Sequence, residues 1–442
     1  MLDRRLHERA AVLAPAKAPD ASGRLRLHAE NFVRLLVVLL GFSIPVSVAL
    51  DNVLLAIILF AWLVGGGYRA KLDAIRDNPV ALIAVLLFGL YLAGTLYSIG
   101  SADEVLNTLS KGSRFLLIPA LMPLMRDREW RMRGIGGFQA AMVVSLVLSY
   151  LVWCGVVPVS TWHKGIVDDP VAFKAHITHN VFMSFAAFLF ALSAVEAQTR
   201  RGRIVLSLLC VAAVANVLVM VPGRTGHVVV LVLFTYFLYR QMGAKGFVVA
   251  GIALGALATF VFFSPDTMLH KRITLADDEL QQWRTGAPPD LRSSIGQRLE
   301  IIRNTLEVIR DNPVLGVGTG GFGEAYANLA KRNGDNLTKN PHNEFLMIIA
   351  QFGLVGLLLL VSLFAAQWWL APRLPSRFDE AVARGFVLTM VVASILSSTL
   401  VDHAEGFFFV YMSGILFAGY AGNRARGWSA TTHAERGASA RP

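Results

Sequence analysis

Long apolar runs dominate the chain, divided by short charged or Gly/Pro-rich breaks. About twelve such runs can be read, near 33–49, 52–66, 79–98, 113–125, 134–155, 179–197, 203–221, 225–240, 245–263, 343–370, 379–401 and 403–421. Most approach the roughly 20 residues with which an α-helix crosses the hydrocarbon of a bilayer. The pattern predicts an all-α polytopic integral membrane protein with about 12 transmembrane helices. The fourth run is short and carries Arg114, so it is expected to tilt or to lie partly in the interface.

One polar stretch, 264–342, is long enough to form a structure of its own. The chain then divides into a tail at 1–32, spans one to nine at 33–263, the loop at 264–342, spans ten to twelve at 343–421, and a tail at 422–442. Within the loop, Ser294 and Gln297 have the spacing of a capping box. Ile295, Leu299, Ile302, Leu306 and Ile309 follow at helical spacing, and Asp311-Asn312-Pro313 ends the pattern. This predicts an amphipathic helix on the membrane surface or against the bundle.

Composition agrees with the pattern. Hydrophobic residues make up 55% and charged residues 16%, against about 25% charged in soluble domains. An ordinary soluble enzyme and a disordered chain are both excluded. Cys154 and Cys210 lie inside apolar runs and supply neither a disulfide framework nor a metal site.

The net charge of +11 is unevenly placed. Connections such as Arg126-Arg133 and Arg200-Arg203 are rich in arginine, as are both tails. The opposite short connections hold only Lys111, Arg114, Lys164, Lys174 and Arg224. By the positive-inside rule both termini are cytoplasmic, and 264–342 lies on the outer side. No nucleic-acid motif is present, so the excess charge points to loops and anionic headgroups.

Candidate chemistry gathers on that outer side. Pro341-His342-Asn343 opens the tenth span, where a neutral imidazole either accepts a proton from a hydroxyl or caps the helix. Arg224, in Pro222-Gly223-Arg224-Thr225-Gly226, suits a diphosphate, because a guanidinium bonds phosphate oxygens in pairs; otherwise it anchors the interface. Arg298 flanks the amphipathic stripe and either snorkels or joins the same task. His176 and His179 share a helix face without a carboxylate or cysteine nearby in sequence, so sugar or headgroup contacts are expected there rather than a metal. Asp402, His403 and Glu405 join the last two spans, and Lys111 is a further cation. Gly316-Val-Gly-Thr-Gly-Gly-Phe-Gly323 lacks a Walker lysine and a preceding strand, so a tight turn is expected, not a nucleotide site.

These residues carry a resemblance. His342-Asn343, followed after nine residues by Gly353-Leu-Val-Gly356, resembles the histidine motif of the bacterial O-antigen ligase and polymerase superfamily, and of its O-antigen ligases most closely. Gly223-Arg224-Thr225-Gly226 is similar to its arginine motif, and 298–323 to its periplasmic loop. The resemblance implies an inverting glycosyltransferase of the bacterial inner membrane, working at the periplasmic face without metal, nucleotide or other cofactor. The donor it implies is a glycan on undecaprenyl diphosphate, and the acceptor a sugar hydroxyl of lipid A–core. It implies that His342 handles the acceptor hydroxyl and that Arg224 and Arg298 hold the departing diphosphate. Asn343, Lys111, His179 and Glu405 are expected to bind substrate. Both substrates are lipids, so membrane lipids are natural partners and a lateral opening beside the loop helix is expected.

Overall fold

The computed structural model describes residues 21–157, 166–263, 281 and 294–420. These form helices α1 (Ala21–Ser43), α2 (Val48–Val64), α3 (Tyr68–Asp77), α4 (Pro79–Gly94), α5 (Ala102–Ser113), α6 (Leu117–Leu121), α7 (Arg128–Trp153), α8 (His176–Glu196), α9 (Arg200–Ala215), α10 (Arg224–Met242) and α11 (Ala244–Phe263). Within the 264–342 stretch lie α12 (Ser294–Asp311) and α13 (Phe322–Asn333), and after it come α14 (Glu344–Leu370), α15 (Arg377–Leu396) and α16 (His403–Phe417). No strand occurs among the described residues. The expected tail at 422–442 and most of 264–293 lie outside them.

The all-α expectation holds, and the helix starts follow the local sequence. Asn78 accepts a hydrogen bond from Val80 N (3.1 Å) ahead of Pro79, whose missing N–H costs nothing at a first helical position. Ser101 opens α5, with Asp103 and Glu104 in its first turn and Lys111 in its last, the arrangement that the helix dipole favours.

The span count is coarser than expected. Four helical stretches are long and apolar enough to cross a membrane: Arg128–Trp153, His176–Glu196, Arg200–Met220 and Glu344–Arg373. Counting the pair Lys71–Asp77 and Pro79–Gly94, bent by 99°, as one span gives five. The fourth predicted run is not one helix. It breaks into a 3₁₀ turn at Arg114–Leu116 and the short α6, whose residues are all buried. Helix also begins earlier than the first apolar run, at Ala21.

Helix α8 is the centre of the bundle. Asn180 through Phe190 are all buried, as suits a helix that is apolar on every face. Phe182 and Phe185 meet Phe408 of α16 at ring-centroid distances of 4.7 and 5.6 Å, and Phe138 of α7 joins them at 5.0 Å from Phe408. A smaller core forms apart from this one, where Ile301 and Val308 of α12 meet Val317, Phe322, Tyr326 and Met347.

Candidate active site

Helix α14 is broken one third of the way along, and the break organises the site. Gly353 has φ 59° and ψ −155° inside the helix, a conformation that only glycine adopts readily. A Cβ there would lie 2.1 Å from the Val314 carbonyl oxygen. The turn so opened takes in the glycine-rich segment. Val317 N and Gly318 N donate to Ala350 O and Gln351 O (3.0 and 2.8 Å), and Leu354 N donates to Pro313 O (2.9 Å). Gln351 adds Oε1, which accepts from Gly320 N at 2.7 Å. The glycine run is thus the tight packing element that its lack of a lysine suggested, and it docks on backbone rather than on phosphate. Gly353 serves the close approach of this loop to α14.

At the start of α14 the helix begins at Glu344, so Pro341 and His342 stand outside it. Asn343 is the N-cap. Its Oδ1 accepts from Leu346 N (3.0 Å) and its Nδ2 donates to Ile395 O (2.8 Å), so both ends of the amide are held. His342, at φ 54°, is the only residue other than glycine with positive φ among the described residues. Such strain persists only where the surroundings enforce it, and it gathers at functional sites. Here Asn340 Oδ1 accepts from His342 N at 2.8 Å, and the rigid cap follows. The imidazole is half-buried. Burial and then the positive charge of Arg298 hold its pKa below the usual histidine value, so the neutral form prevails.

Arg298 reaches this point from α12, which packs on α14, with Nη1 3.5 Å from Leu396 O. Burial and the charge of Arg224 both lower its pKa, and it remains cationic because guanidinium starts so high. Arg298 is thus coupled electrostatically to His342 on one side and to Arg224 on the other. Arg224 is exposed at the first turn of α10. The turn before it is fitted to α8, because a Cβ on Gly223 or Gly226 would lie 2.4 Å from the Asn180 side chain. Asn180 Nδ2 donates to Val221 O (3.3 Å), and Ser184 Oγ donates to Gly226 O (3.2 Å). The three residues assigned to chemistry in the sequence are thus linked through Arg298.

The expected binders are placed differently. His179 is 3% exposed in α8, with Nε2 2.9 Å from Asn216 Oδ1, which ties it to a π-helical turn, Asn216–Met220, and not to the His342 cluster. Glu405 is buried, and Thr178 Oγ1 donates to its Oε1 at 2.5 Å, joining α8 to α16. Lys111 lines a separate cavity. His176 pairs with Asp169 (3.3 Å). Among the described residues no group of three or more His, Cys, Asp or Glu side chains is gathered to hold a metal ion.

The face that α12 buries is also rotated from the apolar stripe. Ile301, Asn304, Thr305 and Val308 are buried while Leu306 is 51% exposed. Asn304 is drawn inward by Asp335 Oδ2 (2.8 Å), to which its Nδ2 donates, and by Asn333 Nδ2, which donates to its Oδ1 (3.2 Å). Sequence reasoning gave Glu344 no role. Its Oε2 accepts from Leu400 N (2.8 Å), and Oε1 is buried without a hydrogen-bond partner, so this carboxylate pins the α15–α16 connection beneath His342. A carboxylate in a first helical turn reads as ordinary dipole complement, which hides such a task.

Fold and site together define a helical membrane protein with a histidine–arginine cluster at one end. Residues 208–361 match the family model described as O-antigen ligase, and by this match the segment belongs to the O-antigen ligase/polymerase superfamily. That segment holds Arg224, Arg298, His342 and Gly353. No curated protein matches the chain. Among solved structures, a chain described under "Structural coordination of polymerization and crosslinking by a peptidoglycan synthase complex" is similar over 77% of this chain and 96% of that one, at 16% identity and a TM-score of 0.45. That likeness is slight.

Proposed function

We propose that the protein is an O-antigen ligase. It moves a glycan from undecaprenyl diphosphate to a sugar hydroxyl of lipid A–core, at the periplasmic face of the bacterial inner membrane and with both termini cytoplasmic. The observation that carries this reading is that Arg298 stands within electrostatic reach of both His342 and Arg224, all three inside the segment that matches the O-antigen ligase family.

In the proposed step the acceptor oxygen attacks the anomeric carbon from the face opposite the diphosphate. The bond from that carbon to the diphosphate oxygen breaks, and its electron pair leaves with the oxygen. The acceptor proton passes to His342. Arg224 and Arg298 stabilise the charge on the leaving diphosphate, which grows as the bond breaks. His342 and the arginines serve opposite sides of the reacting carbon, which fits inversion. The same electrostatics link the two halves. The bound diphosphate offsets Arg298, so His342 becomes more basic when the donor is in place. Asn343 and Asn340 are positioning residues that hold the imidazole, and no metal or nucleotide enters the step.

The test is a purified transfer reaction in detergent, with lipid-linked glycan, lipid A–core, EDTA and no nucleotide. Glycosylated lipid A–core that is lost in His342→Ala supports the ligase. Lengthening of the lipid-linked glycan with lipid A–core unmodified would make the protein a polymerase instead. Full activity of His342→Ala would overturn the mechanism.

A further inference from the structure

Apart from the His342 cluster, a cavity of about 200 Å³ is built from several separated stretches of chain, Tyr91 of α4 and Met347 and Gln351 of α14 among them. Glu104, Asn107, Thr108 and Lys111 line it from α5. Their three- and four-residue spacing puts them on one helix face. Gly320 and Gly323 of the glycine-rich segment form a second wall, Lys339 a third, and Leu400 and Val401 a fourth. The second wall stands close because position 320 is glycine. Its φ is 77°, and a Cβ would lie 2.6 Å from the Glu104 carbonyl oxygen. Lys339 closes the top by pairing with Glu104.

The chemistry of the lining narrows the ligand. Two amides (Asn107 and Gln351), the Thr108 hydroxyl, a carboxylate and two ammonium groups stand beside the aromatic rings of Tyr91, Phe115 and Phe322. Among the described residues the Asn107 amide and the Thr108 hydroxyl make no hydrogen bond to protein. Such a mixture suits a ring that is apolar on its faces and hydroxylated at its rim. A phosphate is disfavoured, since Glu104 offsets Lys339, and Lys111 lies within electrostatic reach of Glu344 and Asp402. The volume falls below the roughly 300–1,000 Å³ of sites for drug-sized ligands, so the cavity is sized for a small part of a larger molecule.

We propose that this cavity is a saccharide-binding subsite, separate from the cations that hold the diphosphate, and that Asn107, Thr108 and Lys111 bind sugar hydroxyls there. Its walls lead to the reacting centre. Lys339 lies three residues before His342, and Leu400 is bonded to Glu344, the first residue of α14. The inference rests on the glycan-transfer reading for the source of the sugar, which is either the acceptor's core or the donor's glycan.

Binding is measured on the full-length protein in detergent by titration calorimetry, with two probes: core oligosaccharide freed from lipid A, and glycan freed from its lipid diphosphate. One of them should bind saturably, and Asn107→Ala combined with Thr108→Val should weaken it tenfold or more. The probe that loses affinity names the source. Lys111→Met gives a second, independent variant. The readout is binding and not transfer, so the subsite can stand even if the transfer mechanism fails. Equal affinity of both probes for wild type and for both folded α5 variants, or no saturable binding of either probe, would overturn the subsite.

Discussion

Two His-Asn pairs stand at the starts of two helices, and they have opposite fates. His179-Asn180 falls inside the first turns of α8, which begins at His176. There the imidazole is buried against Asn216, and the Asn180 side chain props the turn that precedes Arg224. His342-Asn343 falls just before α14, with Asn343 as the cap and His342 in a left-handed conformation outside the helix. That imidazole is half-buried beside Arg298. The same dipeptide thus braces the bundle in one place and leaves a half-buried imidazole outside the helix in the other. What separates them is where the helix starts. A histidine inside a packed helix must satisfy its nitrogens with neighbours, whereas one held ahead of a cap can face a substrate.

The comparison breaks most sharply under alanine. His342→Ala should lower transfer by about 10²–10⁴-fold, the usual worth of a general base, and leave the melting temperature near wild type. His179→Ala should do the reverse. It leaves the buried Asn216 Oδ1 without its partner, at a cost of about 1–3 kcal/mol, while transfer per folded molecule is kept. Product analysis and thermal melts on the same samples check both.

Gly353→Ala is next in size. It forces a side chain into a positive-φ position, at about 1–3 kcal/mol, and onto the Val314 carbonyl. The expected result is a lower melting temperature together with faster proteolysis in the glycine-rich segment, whose docking partner is the turn that Gly353 opens.

The pH profile is a finer probe. Burial and Arg298 both disfavour protonated His342. Arg298→Gln removes one of these causes, so the histidine pKa rises and the acid limb of transfer moves to higher pH. The corresponding change at His179 should leave the limb in place.

Asn343→Ala is the smallest of the set. Loss of an N-cap costs about 1 kcal/mol, and release of Ile395 adds to it. A modest fall in melting temperature with a larger fall in turnover would mark Asn343 as positioning His342, and equal falls would mark it as a cap alone.

Much of this was legible in the sequence, and the rest failed for physical reasons. Helix type was readable because the apolar runs are long. His342 and Arg224 stood out in the sequence because each follows a Pro or Gly break at a helix start, whereas Arg298 stood out only by its place beside the amphipathic stripe. The burial of His179 was not readable, since the helix begins at His176, three residues ahead of the apolar run read from 179. The rotated face of α12 was hidden because Asn304 is drawn inward by Asp335 and Asn333, partners well along the chain. Glu344 was hidden because a carboxylate in a first turn looks like surface chemistry. The number of spans was the loosest reading, because apolar runs such as 113–125 fold as broken, buried pieces.

The central claim is that the outlying histidine, and not the buried one, handles the acceptor proton. The most direct measurement is transfer of lipid-linked glycan to lipid A–core by purified His342→Ala and His179→Ala, each normalised to folded protein. The account predicts near-complete loss in the first and near-normal turnover in the second. Retained turnover in His342→Ala would contradict it.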